Sequence, residues 1–548
     1  MDPNTLYYGD NLDILRRYIE EESVDLIYLD PPFNSNADYN VLFAEKDGQA
    51  AHAQITAFED TWTWDTESAA EYAEVLRSGH DRVAKCLKGI HDFLGGSDML
   101  AYLSMMALRL IELRKALKPT GSIYLHCDPT ASHYLKIVMD AVFGPGSFGS
   151  EIIWKRTSGH SDAKRFGSVH DTILMFRKDA AQAVWNEMYQ PYDEGYVEQY
   201  YRYIDEKSGR QFMSDNLSAS GLQGGGYDYE WKGIRRTWRC PVETMKRLDT
   251  EGKIFYTKNG IPRIKRFLDE AKGMPMQDVW TNVESLRSWH TERLGYPTQK
   301  PESLLERMIK ASSNEGDIVL DPFCGCGTAI IAAQKLNRRW IGIDITHLAV
   351  NLIKVRLADT FGPKIAQTYK VIGEPRDLES ARALAAANKY QFQYWALGLV
   401  GARPMEERKG ADKGIDGRLY MTDANSETRS IIISVKGGHV TASQVRDLRG
   451  VVEREDAAIG VFITLEEPTA PMKSEAAEAG FFQTKSVAAS RHARLQILTI
   501  EELLAGRKID MPAAQDLRSF KQAPKAARTK KPGNQLPFEK GTDAEKRD

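Results

Sequence analysis

Cysteine is scarce: five in 548 residues, and Cys324 and Cys326 stand only two positions apart. That spacing does not make a disulfide framework, which excludes a small secreted scaffold. No run of about 18 apolar residues occurs, so no segment reads as a membrane span. The opening Met1-Asp2-Pro3-Asn4-Thr5-Leu6 lacks a charged-then-apolar pattern, so secretion is not expected and the chain reads as cytoplasmic. Neither sign of charge dominates: 73 basic residues face 76 acidic ones, a net charge of −3. That balance neither supports nor excludes nucleic acid, because binding rests on local patches. There is no internal repeat and no Walker motif, which excludes a solenoid and an ATP motor in this chain. What is present is 42% apolar and 27% charged residues, an ordinary soluble globular composition. At roughly 100–200 residues per domain, the length implies about three domains.

Residues 1–180 alternate short apolar runs with helical patterns. Val24–Leu29, Ser122–Leu125, Ile152–Trp154 and Thr172–Phe176 read as buried strands, while Leu100–Leu117 and Ala131–Phe143 carry helix-period apolar residues. Strands alternating with helices imply a parallel α/β sheet. Over 181–290 the alternation is lost and Tyr, Trp, Gly and Arg dominate, including Gly224-Gly225-Gly226. It resumes over 291–360 with a helix at Leu304–Ala311, the strand Ile318–Leu320, a helix at Ala329–Leu336 and the strand Trp340–Ile343. Residues 361–394 read as a linker, with a helix falling between 361 and 400. A second, smaller α/β pattern covers 395–511, and the basic end, 512–548, reads as disordered.

Two places share one design, a buried strand ending in Asp-Pro: Tyr28-Leu29-Asp30-Pro31-Pro32-Phe33 and Val319-Leu320-Asp321-Pro322-Phe323-Cys324-Gly325-Cys326-Gly327-Thr328. In a doubly wound sheet, ligands bind beyond the carboxyl ends of the strands, where both carboxylates would sit. Gly325 and Gly327 precede a helix, so backbone N–H groups and a helix N-terminus face that cleft. Asp344 ends the next strand, where an acid typically holds ribose hydroxyls. This is nucleotide-like recognition without the lysine of a P-loop. The bland alternative for Asp30 is a helix cap or turn acid. The two prolines after it point instead to a rigid loop of fixed backbone shape.

On these residues the chain resembles S-adenosylmethionine-dependent DNA amino-methyltransferases of the N6-adenine/N4-cytosine group. In that family Asp-Pro-Pro-Phe/Tyr is the catalytic loop and the Asp-Pro-Phe-x-Gly-x-Gly turn binds the cofactor. With the catalytic loop first, the order resembles the permuted beta-type. Gly9-Asp10-Asn11-Leu12, Leu117-Lys118-Pro119-Thr120-Gly121, His170-Asp171 and Tyr296-Pro297-Thr298-Gln299-Lys300-Pro301 are similar to its supporting motifs. The resemblance covers roughly residues 5–360. It implies a Rossmann-like class I methyltransferase sheet with an irregular target-recognition insert, S-adenosyl-L-methionine as cofactor, double-stranded DNA as partner and no metal for methyl transfer. A homodimer is compatible with it.

The resemblance also implies roles. An exocyclic amine is a poor nucleophile because its lone pair is delocalised into the ring. Asp30 and the Pro31 carbonyl would accept its two hydrogens and aim that lone pair, on the rigid loop that includes Pro32. Phe33 would stack on a base flipped out of the duplex. Asp10 is expected at the cofactor's adenine, Asp344 at its ribose and the Gly325–Gly327 backbone at its methionine end. Asp321 and Phe323 belong to the same turn, with Thr298 and Lys300 nearby. Asp rather than Ser at position 30 leans towards adenine N6 over cytosine N4. It also counts against glutamine methylation, which Asn there would suggest. Three alternatives stay open: an N4-cytosine enzyme, a DNA-binding regulator with a relic methylase site, and an RNA or protein methyltransferase.

The insert, 181–290, is the natural target-recognition region. Trp231, Lys232, Arg235, Arg236, Trp238 and Arg239 interleave aromatic and basic residues, as phosphate and base contacts require. The alternative is a solvated charged surface with two buried tryptophans. His126-Cys127-Asp128 has the composition of a metal trio but is read as a structural strand end.

Towards the C-terminus, Gly410-Ala411-Asp412-Lys413-Gly414-Ile415-Asp416-Gly417 and Ile431-Ile432-Ile433-Ser434-Val435-Lys436-Gly437-Gly438 resemble a restriction-endonuclease-like, Mrr-type core of the PD-(D/E)xK group. There, two acids and a lysine hold Mg²⁺ and activate water. Strand alternation puts residues 434 and 436 on one face. Asp416 and Lys436 match, and Asp416 is the candidate Mg²⁺ ligand. Ser434 departs from the pattern by replacing the Glu or Gln, and a hydroxyl is a weaker metal ligand. A domain that kept the fold and lost the cut is the other reading.

Overall fold

The computed structural model describes residues 4–32, 62–159, 166–219, 226–287, 289–294, 296, 298–405, 414–422, 428–483, 491–512 and 516–518. The strands foreseen as buried apolar runs assemble, among the described residues, into one nine-stranded sheet. Its spatial order is Val279–Trp280, Phe148–Lys155, His170–Arg177, Leu117–Cys127, Val24–Leu29, Ile318–Asp321, Arg339–Asp344, Thr5–Tyr8 and Lys370–Ile372. Alternation along each strand feeds two cores. Ile27 and Leu29 enter one with the helix Asp98–Ala116, while Leu26 and Tyr28 enter the other with Leu304, Ile330 and Ile353. Helices on both faces make the sheet doubly wound. Asp98–Ala116 is apolar around nearly its whole circumference, and it is buried accordingly.

The purely parallel sheet expected from the alternation needs correcting. His170–Arg177 runs antiparallel to both of its neighbours, Leu117–Cys127 and Phe148–Lys155. A parallel partner needs a crossover, usually a helix, whereas a short connection returns the chain antiparallel. The stretch read as a linker plus a helix holds a helix at Leu378–Ala387, and Lys370–Ile372, which was not foreseen, adds an edge strand to the sheet.

Glu187–Gln277 forms a compact unit of its own. It holds a four-stranded antiparallel sheet and the hairpin Tyr227–Trp231/Ile234–Trp238, packed on the helix Val242–Thr250. Lys232 and Gly233, both at positive φ, form the hairpin's two-residue turn.

The C-terminal sheet runs Arg403–Pro404, Gly417–Thr422, Thr428–Lys436, Ile459–Thr464, Leu495–Thr499. Ile431, Ile433 and Val435 face one core and Ile432 the other. Thr428–Lys436 pairs antiparallel with Gly417–Thr422 and parallel with Ile459–Thr464, so the sheet is mixed. Among the described residues, no helix is long and apolar enough to cross a membrane.

Candidate active site

Four strands adjacent in the sheet each leave an aspartate at the carboxyl end. Asp30 follows Val24–Leu29, Asp321 ends Ile318–Asp321, Asp344 ends Arg339–Asp344, and Asp10 follows Thr5–Tyr8 across Gly9. Chain order scatters these residues, and strand order gathers them on one edge. Pro31 is buried and Pro32 half-buried behind Asp30. Phe33 lies outside the described residues.

The glycine turn is built by its own backbone. Gly325 and Gly327 adopt φ of +47° and +76°, a region that L side chains rarely occupy. A Cβ on Gly327 would meet Ile353 Cγ1 at 2.7 Å. The Gly325 N–H donates to Asp344 Oδ2 at 2.8 Å, and Cys324 N–H to the Ile343 carbonyl at 3.1 Å. Asp344 Oδ1 accepts from Thr346 N–H and Oγ1 at 2.9 and 2.8 Å. Burial nevertheless pushes the Asp344 carboxyl up to about 6. Asp321 Oδ1 accepts from Phe323 N–H at 3.1 Å, and Phe323 packs against the core beside it. Burial, then the charges of Asp30 and Asp344, drive the Asp321 carboxyl well above the usual range. Crowded carboxylates beside a tight glycine turn fit a cationic, hydroxyl-bearing nucleoside such as S-adenosylmethionine.

Asp10 caps the helix Asn11–Tyr18, with Oδ1 accepting from Asp13 N–H at 3.1 Å while Oδ2 accepts from Arg109 at 2.9 Å. Asn11 ties this corner to the glycine turn by donating to the Pro322 carbonyl at 2.9 Å. Thr298 and Lys300 sit on a segment whose Tyr296 ring borders Gly325. The Lys300 Nζ lies 2.5 Å from Asp30 Oδ2, both side chains being mostly buried.

His126, Cys127 and Asp128 form no metal trio. His126 is bonded to Tyr28 OH at 3.0 Å and to Asp171 Oδ2 at 3.1 Å, and Asp128 caps the helix Pro129–Phe143. Cys324 and Cys326 are buried in the cofactor turn.

Sequence reasoning overlooked the strut beneath that turn. Arg356, 1% exposed, donates to Glu302 Oε1 at 2.9 Å, to the Cys326 carbonyl at 3.0 Å and to Thr328 Oγ1 at 3.1 Å. The signal was available: Leu352, Ile353, Arg356 and Leu357 share a buried helical stripe, and an arginine there needs a partner.

Glu292 accepts a hydrogen bond from Glu302 N–H at 2.7 Å, and burial plus the Glu302 charge raise its carboxyl from 4.5 to about 7. A raised carboxyl binds its proton more tightly in the folded state. Stability should therefore fall as pH rises from about 4.5 to about 7, by at most about 3 kcal/mol. Glu292→Gln is expected to flatten that slope in urea titrations at about pH 3.5 and about pH 8, roughly one unit beyond each limit. An unchanged slope would refute the assignment.

In the Glu187–Gln277 unit two expectations are corrected. Trp231 and Trp238 are 8% and 0% exposed, and their indole N–H groups donate to Tyr256 OH and the Tyr229 carbonyl. They are the hairpin's core and offer no stacking surface. Arg235, Arg236 and Arg239 are exposed, with Arg235 opposite Asp228 at 3.3 Å.

In the C-terminal domain Asp416, Ser434 and Lys436 converge. Asp416 Oδ2 accepts from Ser434 Oγ at 3.0 Å and Val435 N–H at 2.6 Å, with Lys436 Nζ at 3.6 Å. Among the described residues no group of three or more potential metal ligands occurs.

Comparisons with known proteins agree with this layout. A family model described as DNA methylase matches residues 24–355, and one described as NACHT-associated inactive restriction endonuclease matches 389–505. The type II methyltransferase M.EcaI of Enterobacter cloacae is 30% identical over 365 residues, covering 65% of this chain and 70% of that protein. The Mod subunit of the type III restriction-modification enzyme StyLTI of Salmonella typhimurium is 30% identical over 355 residues, 61% of this chain and half of its own length. The DNA adenine methyltransferase YhdJ of Escherichia coli is 24% identical over 345 residues, covering 63% of this chain and 79% of its own.

Proposed function

The chain belongs to the N6/N4 DNA methylase family and carries a C-terminal restriction-endonuclease-like domain, and from that premise we propose that it methylates the N6 of adenine in double-stranded DNA. What chiefly supports the reading is the place of Asp30, on a strand next to the one that ends in Asp321 and the glycine turn.

When bound, S-adenosylmethionine supplies a methyl group already activated by its sulfonium charge. Asp321, Asp344 and the Gly325–Gly327 turn hold that donor, and no residue need activate it further. Asp30 and the Pro31 carbonyl accept the two hydrogens of the target amine and turn its lone pair towards the methyl carbon. The nitrogen would take the methyl as its bond to the sulfonium sulfur breaks, leaving a neutral thioether, and would shed one proton to the Asp30 carboxylate, from which it reaches water. Positioning supplies most of the rate. Asp at position 30 favours adenine over cytosine. Arg235, Arg236 and Arg239 contact the phosphate backbone.

The C-terminal domain binds DNA without cutting it. A carboxylate already engaged by a hydroxyl, a backbone N–H and a lysine, with no second acid beside it among the described residues, is a poor Mg²⁺ site.

One assay tests both halves. The chain is incubated with labelled S-adenosylmethionine, Mg²⁺ and unmethylated genomic DNA, which is then digested to nucleosides. Label in N6-methyladenine on uncut DNA is expected. Label in N4-methylcytosine would overturn the base, label only in RNA or protein would overturn the substrate, and cleavage lost in Asp416→Ala would overturn the non-cutting reading.

A further inference from the structure

Lys300 belongs to the Tyr296–Pro301 segment that borders the cofactor turn, yet its ammonium is spent on the opposite partner. It lies 2.5 Å from Asp30 Oδ2, and among the described residues it is the one hydrogen-bonding partner of that carboxylate. The two side chains are 13% and 17% exposed, so the contact is not a solvated surface pair of the kind that contributes little. A lysine carries three donors and no acceptor, so it cannot itself take a hydrogen from the target amine.

We propose that Lys300 is a positioning residue for methyl transfer, clamping one oxygen of Asp30 so that the other is presented to the base. The proposal rests on the methylase reading. The geometry explains why a lysine stands there. Asp30 follows directly on a strand, with two prolines behind it, so its backbone is fixed while its side-chain torsions are not. A cation on Oδ2 fixes the plane of the carboxylate and leaves Oδ1 to the substrate. The same ammonium also opposes the upward push that Asp30 and Asp344 exert on the Asp321 carboxyl. It therefore sits within reach of the acids on two neighbouring strands and keeps them from repelling one another.

The test uses the full chain carrying Lys300→Met and Lys300→Arg. Methylation is measured at saturating S-adenosylmethionine, and cofactor affinity by titration without DNA. Lys300→Met should lower kcat about a hundredfold, the scale of a misplaced reacting group, and leave the cofactor Kd within about threefold. Lys300→Arg should recover most of that loss. In an Asp30→Asn background, adding Lys300→Met should change the residual rate less than about threefold, because the two act as one unit. A rate restored by more cofactor, with Kd raised in proportion, would make Lys300 a cofactor contact and overturn the proposal. So would Lys300→Met activity within about twofold of the parent. A parent chain that binds cofactor yet labels no DNA would instead overturn the methylase reading, and the proposal with it.

Discussion

Asp30→Ala should lower the single-turnover rate of methyl transfer by about a thousandfold, the upper range for removing one preorganised group that contacts the reacting atoms. Cofactor affinity should stay within about threefold, because Asp30 stands one strand away from the glycine turn and its effect is confined to the reacting amine. The amine's lone pair is delocalised into the ring, and recovering it requires acceptors on its hydrogens at fixed angles. Alanine removes one acceptor and also strands the Lys300 ammonium, 13% exposed, without its partner. Asp30→Asn is the cleaner comparison. Its amide oxygen can still accept a hydrogen bond and the shape is kept, while the charge assistance and the capacity to take the proton are lost. The order of rates should be parent, then Asn, then Ala. Rapid-quench measurement at saturating cofactor checks it, and an alanine variant within tenfold of the parent would place the acceptor elsewhere.

The carboxyl-end acids were legible in the sequence because each follows a short buried strand, and a short apolar run announces where it stops. Asp30, Asp321 and Asp344 could thus be named from the sequence. Their mutual arrangement could not. Strand order, which sets Asp30 beside Asp321 and Asp344 beside Asp10, is a matter of topology that apolar periodicity does not encode. Direction is equally silent, which is why the reversal of His170–Arg177 went unforeseen.

Trp231 and Trp238 show a different failure. A segment that alternates aromatic and basic residues looks the same whether the aromatics meet bases or meet each other. In the hairpin, the two-residue Lys232-Gly233 turn sets Trp231 opposite Ile234, and both indoles turn to the helix Val242–Thr250. Lys300 was placed near the cofactor because its motif borders the turn. The side chain's reach to Asp30, across 270 residues of chain, is a tertiary fact. The C-terminal departure was legible, since Ser434 stands where an acid belongs. Its consequence, a hydroxyl bonded to Asp416, needed coordinates.

Arg356→Met should be the most destabilising single change at the site, at about 3 kcal/mol, near the lower end for breaking a buried ion pair. The substitution leaves Glu302, itself 7% exposed, with Lys335 as its remaining ionic partner, which keeps the cost from rising further. It also withdraws two donors from the cofactor turn, at the Cys326 carbonyl and Thr328 Oγ1. A buried acceptor left unsatisfied costs about 1–3 kcal/mol, and here the acceptor belongs to the loop that must hold a ligand. The loss of stability should therefore come with a loss of cofactor affinity, which separates this variant from an ordinary core defect. Pairing Arg356→Met with Glu302→Gln removes the stranded charge and should recover part of the stability, because the two sites couple. It should not recover cofactor affinity, since the turn's acceptors stay unpaired. Urea titration and cofactor titration on the single and double variants read the two effects apart. If affinity returned together with stability, the strut would be acting on the fold alone and not on the turn.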